Sequence, residues 1–172
     1  MIVTNNDELA AKIRLLRNHG MKTRDEISIF GVNSRLDTLQ AIVGLHMLAQ
    51  VEKITETRIA NAKTYDKGLS RMKGVTLPPR LGYARQVYHT YVIQVENRAA
   101  LMDHLTKKNI EVKVHYPIPI HTQEAAKNLG YKRGDFPVTE SQTDKILTLP
   151  VHQDLTKEQI QYVIESIKEF YA

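Results

Sequence analysis

A turn followed directly by a helix is predicted by eleven residues, Gly31-Val32-Asn33-Ser34-Arg35-Leu36-Asp37-Thr38-Leu39-Gln40-Ala41. Gly31 has the backbone freedom that a turn requires. Asp37 and Gln40 stand three residues apart, which is the spacing of a capping box with Asp as a less usual first member. The pattern therefore predicts a helix that starts directly after Asp37.

Two polar side chains of this stretch, Asn33 and Arg35, lie just before the predicted helix. Free backbone N–H groups and the helix dipole favour an anion at a helix N-terminus, and an amide and a guanidinium can both donate hydrogen bonds to it. The stretch is also compatible with a capped turn that displays ordinary surface polar residues, which are common at helix starts. The local pattern leaves both interpretations open.

Helical periodicity continues from Asp37 to about Arg71, because apolar residues recur at spacings of three and four. The recurring residues are Leu39, Ile42, Val43, Leu48, Val51, Ile54, Ile59, Ala62, Tyr65 and Leu69. A single helix over residues 37–71 would be about 50 Å long, which is more than one small domain needs. We expect such a helix to link two parts of a molecule or two subunits.

The segment before the turn predicts a strand end and a helix. Ile2-Val3-Thr4 indicates the last residues of a β-strand. Asn5 or Asn6 would cap the helix that follows, and Glu8 would close a capping box. Gly20 has the position of a C-terminal helix stop.

Residues 72–172 alternate between short strands and helices. The pattern predicts strands over residues 75–77, 88–95, 111–116 and 147–150, and helices over residues 97–108, 124–129 and 139–146. A last helix begins at a capping box formed by Thr156 and Gln159. This order predicts an α+β fold, in which the long linking helix precedes a small sheet with helices packed against it.

The composition limits the class of protein. The chain has 172 residues, no cysteine and a net charge of +5, with its basic residues spread along the sequence. Without cysteine there are no disulfides and no thiolate metal sites, which fits a cytoplasmic location. The pattern predicts no signal peptide at the first residues, and no apolar stretch is long enough to span a bilayer. We therefore expect a cytoplasmic protein without a membrane partner.

Several kinds of functional site lack the sequence pattern that they require. The basic residues form no concentrated stripe with stacking aromatic residues, so no nucleic-acid partner is expected. His89, His115 and His121 are loosely spaced and have no cysteine beside them, so no metal site is expected. Glycine-rich phosphate loops and the GxSxG elbow of serine hydrolases are missing. The positive charge favours anionic small molecules as ligands.

Five further motifs accompany the turn in a fixed order along the chain. They are Thr4-Asn5-Asn6-Asp7-Glu8-Leu9-Ala10, Leu16-Arg17-Asn18-His19-Gly20, Tyr88-His89-Thr90-Tyr91-Val92-Ile93, His115-Tyr116-Pro117 and Leu147-Thr148-Leu149-Pro150. Together with the turn, they resemble the C-terminal half of the DegT/DnrJ/StrS aminotransferases. These are pyridoxal-phosphate (PLP) enzymes of fold type I that aminate keto-sugars, usually on nucleotide carriers. The joint order of the motifs is far more specific than any one of them.

The resemblance implies a division of the chain into three parts. Residues 1–36 would be the tail end of the large PLP-binding domain, and residues 37–71 the long linking helix. Residues 72–172 would be the small C-terminal α+β domain of a fold type I aminotransferase.

The resemblance also implies roles for individual residues. Asn33 resembles the residue that reaches across the dimer to the cofactor phosphate of the neighbouring subunit. Arg35 resembles a residue close to the anionic part of the substrate. His115 and Tyr116 resemble residues on the substrate side of the active site, and His121 is a weaker match to the same side.

For the complete enzyme, the resemblance implies transfer of an amino group from glutamate or glutamine to a nucleotide-linked keto-sugar in surface-polysaccharide or amino-sugar biosynthesis. The enzyme would be a homodimer formed through the segment around Asn33 and the long helix. In the family, the lysine that binds PLP, the carboxylate on its pyridine nitrogen and the ring-stacking residue all precede the segment that resembles Ile2-Val3-Thr4. We therefore expect no catalytic residue in this chain, no PLP bound to it alone and no transamination by it alone.

Two alternatives remain open. The chain could be a non-catalytic interaction or sugar-binding module, or it could come from a sugar dehydratase of the same family. The dehydratases differ from the aminotransferases at the position of the missing lysine.

Overall fold

Two compact units make up the chain, residues 1–50 and residues 51–172. The computed structural model describes every residue from 1 to 172. The first unit contains two α-helices, α1 (Asp7–Leu16) and α2 (Thr38–Leu48). The second contains four more, α3 (Val51–Leu69), α4 (Arg98–Lys107), α5 (Pro137–Lys145) and α6 (Lys157–Tyr171), and three short strands.

Both helices of the first unit begin where the sequence predicts. Asn6 Oδ1 accepts a hydrogen bond from the Leu9 N–H at 2.9 Å. The Asp37 N–H donates to Gln40 Oε1 at 3.0 Å, which is one half of the predicted capping box. The box predicted at Glu8 is wrong, because Glu8 is the second residue of α1 and the third is Leu9, which has no side-chain acceptor.

The strand end predicted at Ile2-Val3-Thr4 is absent. These residues are exposed, and their backbone pairs with no strand. A strand needs a neighbour to satisfy its N–H and C=O groups, so an apolar run is not sufficient to form one.

The single helix predicted over residues 37–71 is two helices, α2 and α3, with a break at Ala49 and Gln50. Ala49 keeps right-handed helical dihedrals, with φ −64° and ψ −19°. The Gln50 N–H donates to the Met47 carbonyl at 3.0 Å, three residues back instead of four. The helix therefore tightens at this point, and the boundary between the two units follows Gln50.

The three strands of the second unit form one antiparallel sheet in the order β1 (Val75–Thr76), β2 (Tyr91–Val95) and β3 (Ile146–Leu149). The register pairs Val75 with Val95, and Ile93 with Leu147. Alternate residues of β2, which are Tyr91, Ile93 and Val95, are buried, as in a strand with one face on a core. The α+β fold with helices packed against a small sheet is therefore confirmed.

One core fills the second unit. The α3 and α6 helices contact each other, α4 packs on α6, and α5 contacts β2. Its largest fully buried apolar side chains are Tyr65, Leu69, Tyr91, Ile93, Leu101, Leu105, Leu147, Leu149, Ile160, Ile164 and Ile167. None of the helices in the structure is both long and apolar enough to cross a membrane.

The strand predicted over residues 111–116 makes only a single backbone pair with β3, between Lys113 and Thr148. Continued antiparallel pairing would use Ile146 and Pro150 on the same edge of β3. Pro150 has no N–H, and its carbonyl accepts a hydrogen bond from the Tyr65 hydroxyl at 2.9 Å. The Ile146 carbonyl lies 3.4 Å from an Arg98 guanidinium nitrogen. Because these groups are otherwise occupied or missing, the ladder stops after one pair.

Candidate functional site

The turn that contains Asn33 is held against the C-terminal end of α1. The Val32 N–H donates to the Leu16 carbonyl at 2.8 Å, and the Ser34 N–H donates to the Arg17 carbonyl at 2.8 Å. A Cβ on Gly31 would lie 2.6 Å from the Leu16 carbonyl oxygen. Gly31 is therefore required for close backbone approach, whereas the sequence predicted a need for backbone freedom.

Asn33 and Arg35 lie together at the N-terminal end of α2. Asn33 Oδ1 accepts a hydrogen bond from Arg35 Nε at 3.3 Å. Both residues are exposed, and with Asp37 and Gln40 they line a shallow polar depression. Neither the Asn33 amide nitrogen nor the terminal guanidinium nitrogens of Arg35 donate to any protein group in the structure. These free donors can bind an anionic oxygen beside the helix N-terminus.

In the second unit, His115 and Tyr116 lie side by side with different surroundings. The two rings meet edge to face with centroids 5.4 Å apart, and the peptide bond between the residues is cis. Tyr116 is 72% exposed, whereas His115 is half-buried. His115 Nδ1 lies 2.9 Å from Thr148 Oγ1. The exposed phenol and the second ring nitrogen of His115 are the polar groups that these two residues can offer to a ligand.

His115 lines an open groove of about 740 Å³, which we call the His115 groove. It is also lined by Arg58, His89, Lys113, His152 and Tyr162, among others. Arg58 of α3 holds two of the groove's loops together. Its guanidinium donates to the carbonyls of Tyr88 and His89 at 3.3 and 3.2 Å and to Gln153 Oε1 at 3.2 and 3.1 Å.

His121 has mainly internal contacts. Its side chain is 8% exposed, and Nε2 lies 3.0 Å from Glu140 Oε1. The Gly134 N–H donates to the same oxygen at 2.7 Å. This backbone hydrogen bond, and then the one from His121, hold the pKa of the Glu140 carboxyl below its ordinary value. The His121 ring also packs against the Phe136 ring, with ring centroids 4.8 Å apart. These contacts join two loops to α5, and a substrate contact by His121 stays a prediction.

Four of the five predicted site residues therefore form one pair in each unit, and His121 makes separate contacts with Glu140 and Phe136. Asn33 and Arg35 are hydrogen-bonded to each other in the first unit, and His115 and Tyr116 are adjacent in the second. No group of three or more His, Cys, Asp or Glu side chains in the structure is arranged to ligate a metal ion.

Comparison with known proteins identifies the family. The sequence profile of the DegT/DnrJ/EryC1/StrS aminotransferase family matches residues 1–168. The chain belongs to this family. The resemblance inferred from the six motifs is thereby confirmed.

Similar proteins include sugar aminotransferases. The chain is 39% identical to a pleiotropic regulatory protein of Geobacillus stearothermophilus, over 99% of this chain and 46% of that protein. It is 33% identical to dTDP-3-amino-3,4,6-trideoxy-alpha-D-glucose transaminase of Streptomyces venezuelae, over 98% of this chain and 46% of that protein. A crystal structure of S. venezuelae DesV in complex with a ketimine intermediate superposes with a TM-score of 0.91 at 33% identity, over 98% of this chain and 46% of that one. The chain thus spans about half the length of the relatives that it matches.

Three residues that position the predicted site were not found from the sequence. Arg58 holds the loops of the His115 groove. Glu140 contacts His121, and Thr148 contacts His115. Thr148 lies within the Leu147–Pro150 motif, but the motif gave no indication that Thr148 contacts His115. The other two lie in helical segments whose charged residues look like ordinary surface positions in the sequence.

Proposed function

We propose that this chain forms the C-terminal part of a PLP-dependent nucleotide-sugar aminotransferase and supplies its phosphate-binding and substrate-binding side chains. The observation that supports the proposal is the pair of free donors, from Asn33 and Arg35, at the N-terminal end of α2. Membership of an aminotransferase family supports it independently. In this proposal, residues 1–36 belong to the large domain and residues 72–172 to the small domain.

The donors of the first unit fit one part of the cofactor, its phosphate. The Asn33 amide would donate to a phosphate oxygen, and the guanidinium of Arg35 would bind an anionic group of the substrate through two parallel hydrogen bonds. When bound, PLP supplies the chemistry that moves an amino group from glutamate or glutamine to a keto-sugar. No lysine of this chain matches the family position that holds the cofactor covalently. In this proposal, the chain's own residues bind the cofactor phosphate and orient the substrate.

The second unit would contact the sugar. His115 presents a ring nitrogen in the His115 groove, and the adjacent Tyr116 exposes its phenol. Both can exchange hydrogen bonds with sugar hydroxyls, and neither needs to change its internal contacts to do so. His121 would act on the same side by holding the Pro-rich segment that follows Tyr116.

We propose a homodimer in which the first unit contacts a second copy. The α2 helix exposes Leu39, Ile42, Val43, Leu45 and Leu48 together, and contiguous apolar surface of this kind is typical of an interface. The phosphate bound by Asn33 would then belong to the partner subunit. A cytoplasmic location, which the absence of cysteine favours, stays part of the proposal.

A chimera tests the proposal. The chain replaces the matching C-terminal 46% of the S. venezuelae transaminase, and PLP retention and sugar amination are measured. Losing a hydrogen bond to a charged group costs about 1.5–3 kcal/mol, so Asn33→Ala should weaken PLP retention about ten- to a hundredfold. Arg35→Ala should raise the KM for the nucleotide-sugar more than it affects PLP retention.

Arg24→Ala is the matched control, because Arg24 is an exposed cation of the same unit that does not line the depression beside Asn33 and Arg35. It should leave both quantities unchanged. If the folded chimera binds PLP and aminates its substrate while Asn33→Ala and Arg35→Ala behave like the control, the proposed roles are wrong.

A further inference from the structure

The hydroxyl of Thr148 has one hydrogen-bond partner in the structure, His115 Nδ1 at 2.9 Å. Thr148 is only 8% exposed, and it lines the His115 groove beside His115. A buried hydroxyl without a partner costs free energy, and the His115 ring supplies that partner. The contact therefore stabilises one orientation of the ring relative to β3.

The backbone explains why Thr148 can act as a fixed support. Its N–H donates to the Lys113 carbonyl at 2.7 Å, and its carbonyl accepts from the Lys113 N–H at 3.2 Å. On the other side, Thr148 pairs with Val92 of β2. Thr148 thus lies in β3 between two neighbouring segments and has both backbone groups bonded to Lys113, whereas the segment after Lys113 has no further pairing with β3. His115 follows Lys113 by two residues, so in an extended segment its side chain lies on the same face, diagonal to Thr148.

The contact has a chemical consequence for the other ring nitrogen. A threonine hydroxyl can donate to an unprotonated Nδ1 or accept from a protonated one. In either case Nδ1 is engaged, and Nε2, on the far side of the ring, is the nitrogen left for the His115 groove. With Nδ1 unprotonated, or with the ring fully protonated, Nε2 is a donor to a ligand oxygen.

We propose that Thr148 is the positioning residue of His115, whose hydroxyl holds Nδ1 so that Nε2 is presented to the substrate. The consequence for catalysis rests on the proposed function of His115, whereas the hold on the ring does not. Thr148→Val keeps the side-chain shape and the β-branching that suits a strand, and removes the hydroxyl. Thr148→Ser is the matched control, because it keeps the hydroxyl.

The first measurement uses the 172-residue chain labelled with ¹⁵N on histidine. We expect the ring nitrogen shifts of His115 to change in Thr148→Val and to stay near the wild-type values in Thr148→Ser. Backbone amide spectra establish that each variant is folded, and Thr148→Ala is the second hydroxyl-free variant should valine disturb the strand. Unchanged His115 ring shifts in a folded hydroxyl-free variant would overturn the proposal.

The second measurement uses the transaminase chimera. Thr148→Val should lower kcat/KM for the nucleotide-sugar about tenfold, and Thr148→Ser should restore it to within about twofold, since the hydroxyl is the group that matters. If the ring shifts depend on the hydroxyl but neither Thr148→Val nor His115→Ala lowers kcat/KM, the hold on the ring is supported. In that case, the substrate role proposed for His115 is the part that fails.

Discussion

The two units differ in how far their apolar side chains are buried. In the second unit, Leu101 and Ile167 are fully buried in a core shared by helices and sheet. In the first unit, no residue of α1 or α2 is buried, and Leu39 and Leu45 of α2 are 75% and 68% exposed. Only three of the eleven residues of α2 are polar or charged. The helix is therefore mostly apolar, yet none of its residues is buried.

This difference shows that apolar periodicity predicts a helix without predicting what covers it. A helix that is apolar on nearly every side is stable in water when other surfaces bury it. The second unit contains those surfaces within its own sequence. The first unit does not, and in the proposed homodimer the exposed apolar face of α2 would contact a second copy.

The largest expected effect comes from separating the units. Residues 51–172 expressed alone should unfold in one cooperative transition close to that of the whole chain, because the core lies within them. Residues 1–50 alone should show little helix by circular dichroism, since helices of this length are marginal without packing. A non-cooperative transition for residues 51–172 would contradict the comparison.

Matched leucine substitutions test the difference in burial between the two units. Leu101→Ala removes a fully buried side chain and should lower the free energy of unfolding by about 2–5 kcal/mol. Leu45→Ala in α2 should change it by less than about 0.5 kcal/mol, because the side chain is already exposed. Denaturant titration of both variants measures the difference. Equal losses would mean that α2 is packed within this chain.

Two helical glycines should respond with opposite signs. A Cβ on Gly68 of α3 would lie 2.7 Å from Ile164 Cδ1 and 2.9 Å from its Cγ2, and Ile164 is buried. Overpacking by Gly68→Ala should lower the free energy of unfolding by about 1–3 kcal/mol, and the gain in helix propensity should offset about 1 kcal/mol of this loss. Gly44 of α2 has no atom within 4 Å of such a Cβ. Gly44→Ala should raise the local stability of α2 by roughly 0.5–1 kcal/mol, measured by amide hydrogen exchange.

The smallest expected effect concerns alkaline pH. Burial raises the pKa of Tyr171 from 10.0 to about 12, and its hydroxyl donates to the Glu96 carbonyl at 2.5 Å. The unfolded chain loses this proton at lower pH than the folded chain, so the contribution is complete below pH 10 and is lost as the pH rises towards 12. Tyr171→Phe should make the fall in stability over this range shallower. An identical pH profile for the two proteins would exclude a contribution from Tyr171.

The elements that the sequence predicted correctly are those with local causes. The caps at Asn6, Asp37 and Thr156 each depend on residues within one helical turn, and all three begin helices. The strand over residues 111–116 was overestimated because its pairing depends on Pro150 and on Tyr65, far away in the sequence.

The candidate site shows the same limit. Asn33 and Arg35 are close in sequence, and their juxtaposition could be predicted. The contact of His115 with Thr148 joins residues 33 positions apart, and Ala49 and Gln50, where the helix breaks, are themselves good helix formers. Neither has a local pattern, so the structure was needed to find them.

The most direct measurement asks whether Asn33 completes a site in another subunit. Two versions of the transaminase chimera are mixed at limiting PLP, one without the PLP-binding lysine of the S. venezuelae half and one with Asn33→Ala, which retains PLP weakly. If Asn33 acts across the dimer, each hybrid has both lesions in one site and none in the other, and should show roughly half of the unmutated activity. If subunit exchange is demonstrated and activity stays at the level of the two parents, Asn33 acts within its own subunit and the proposed role of the first unit is wrong.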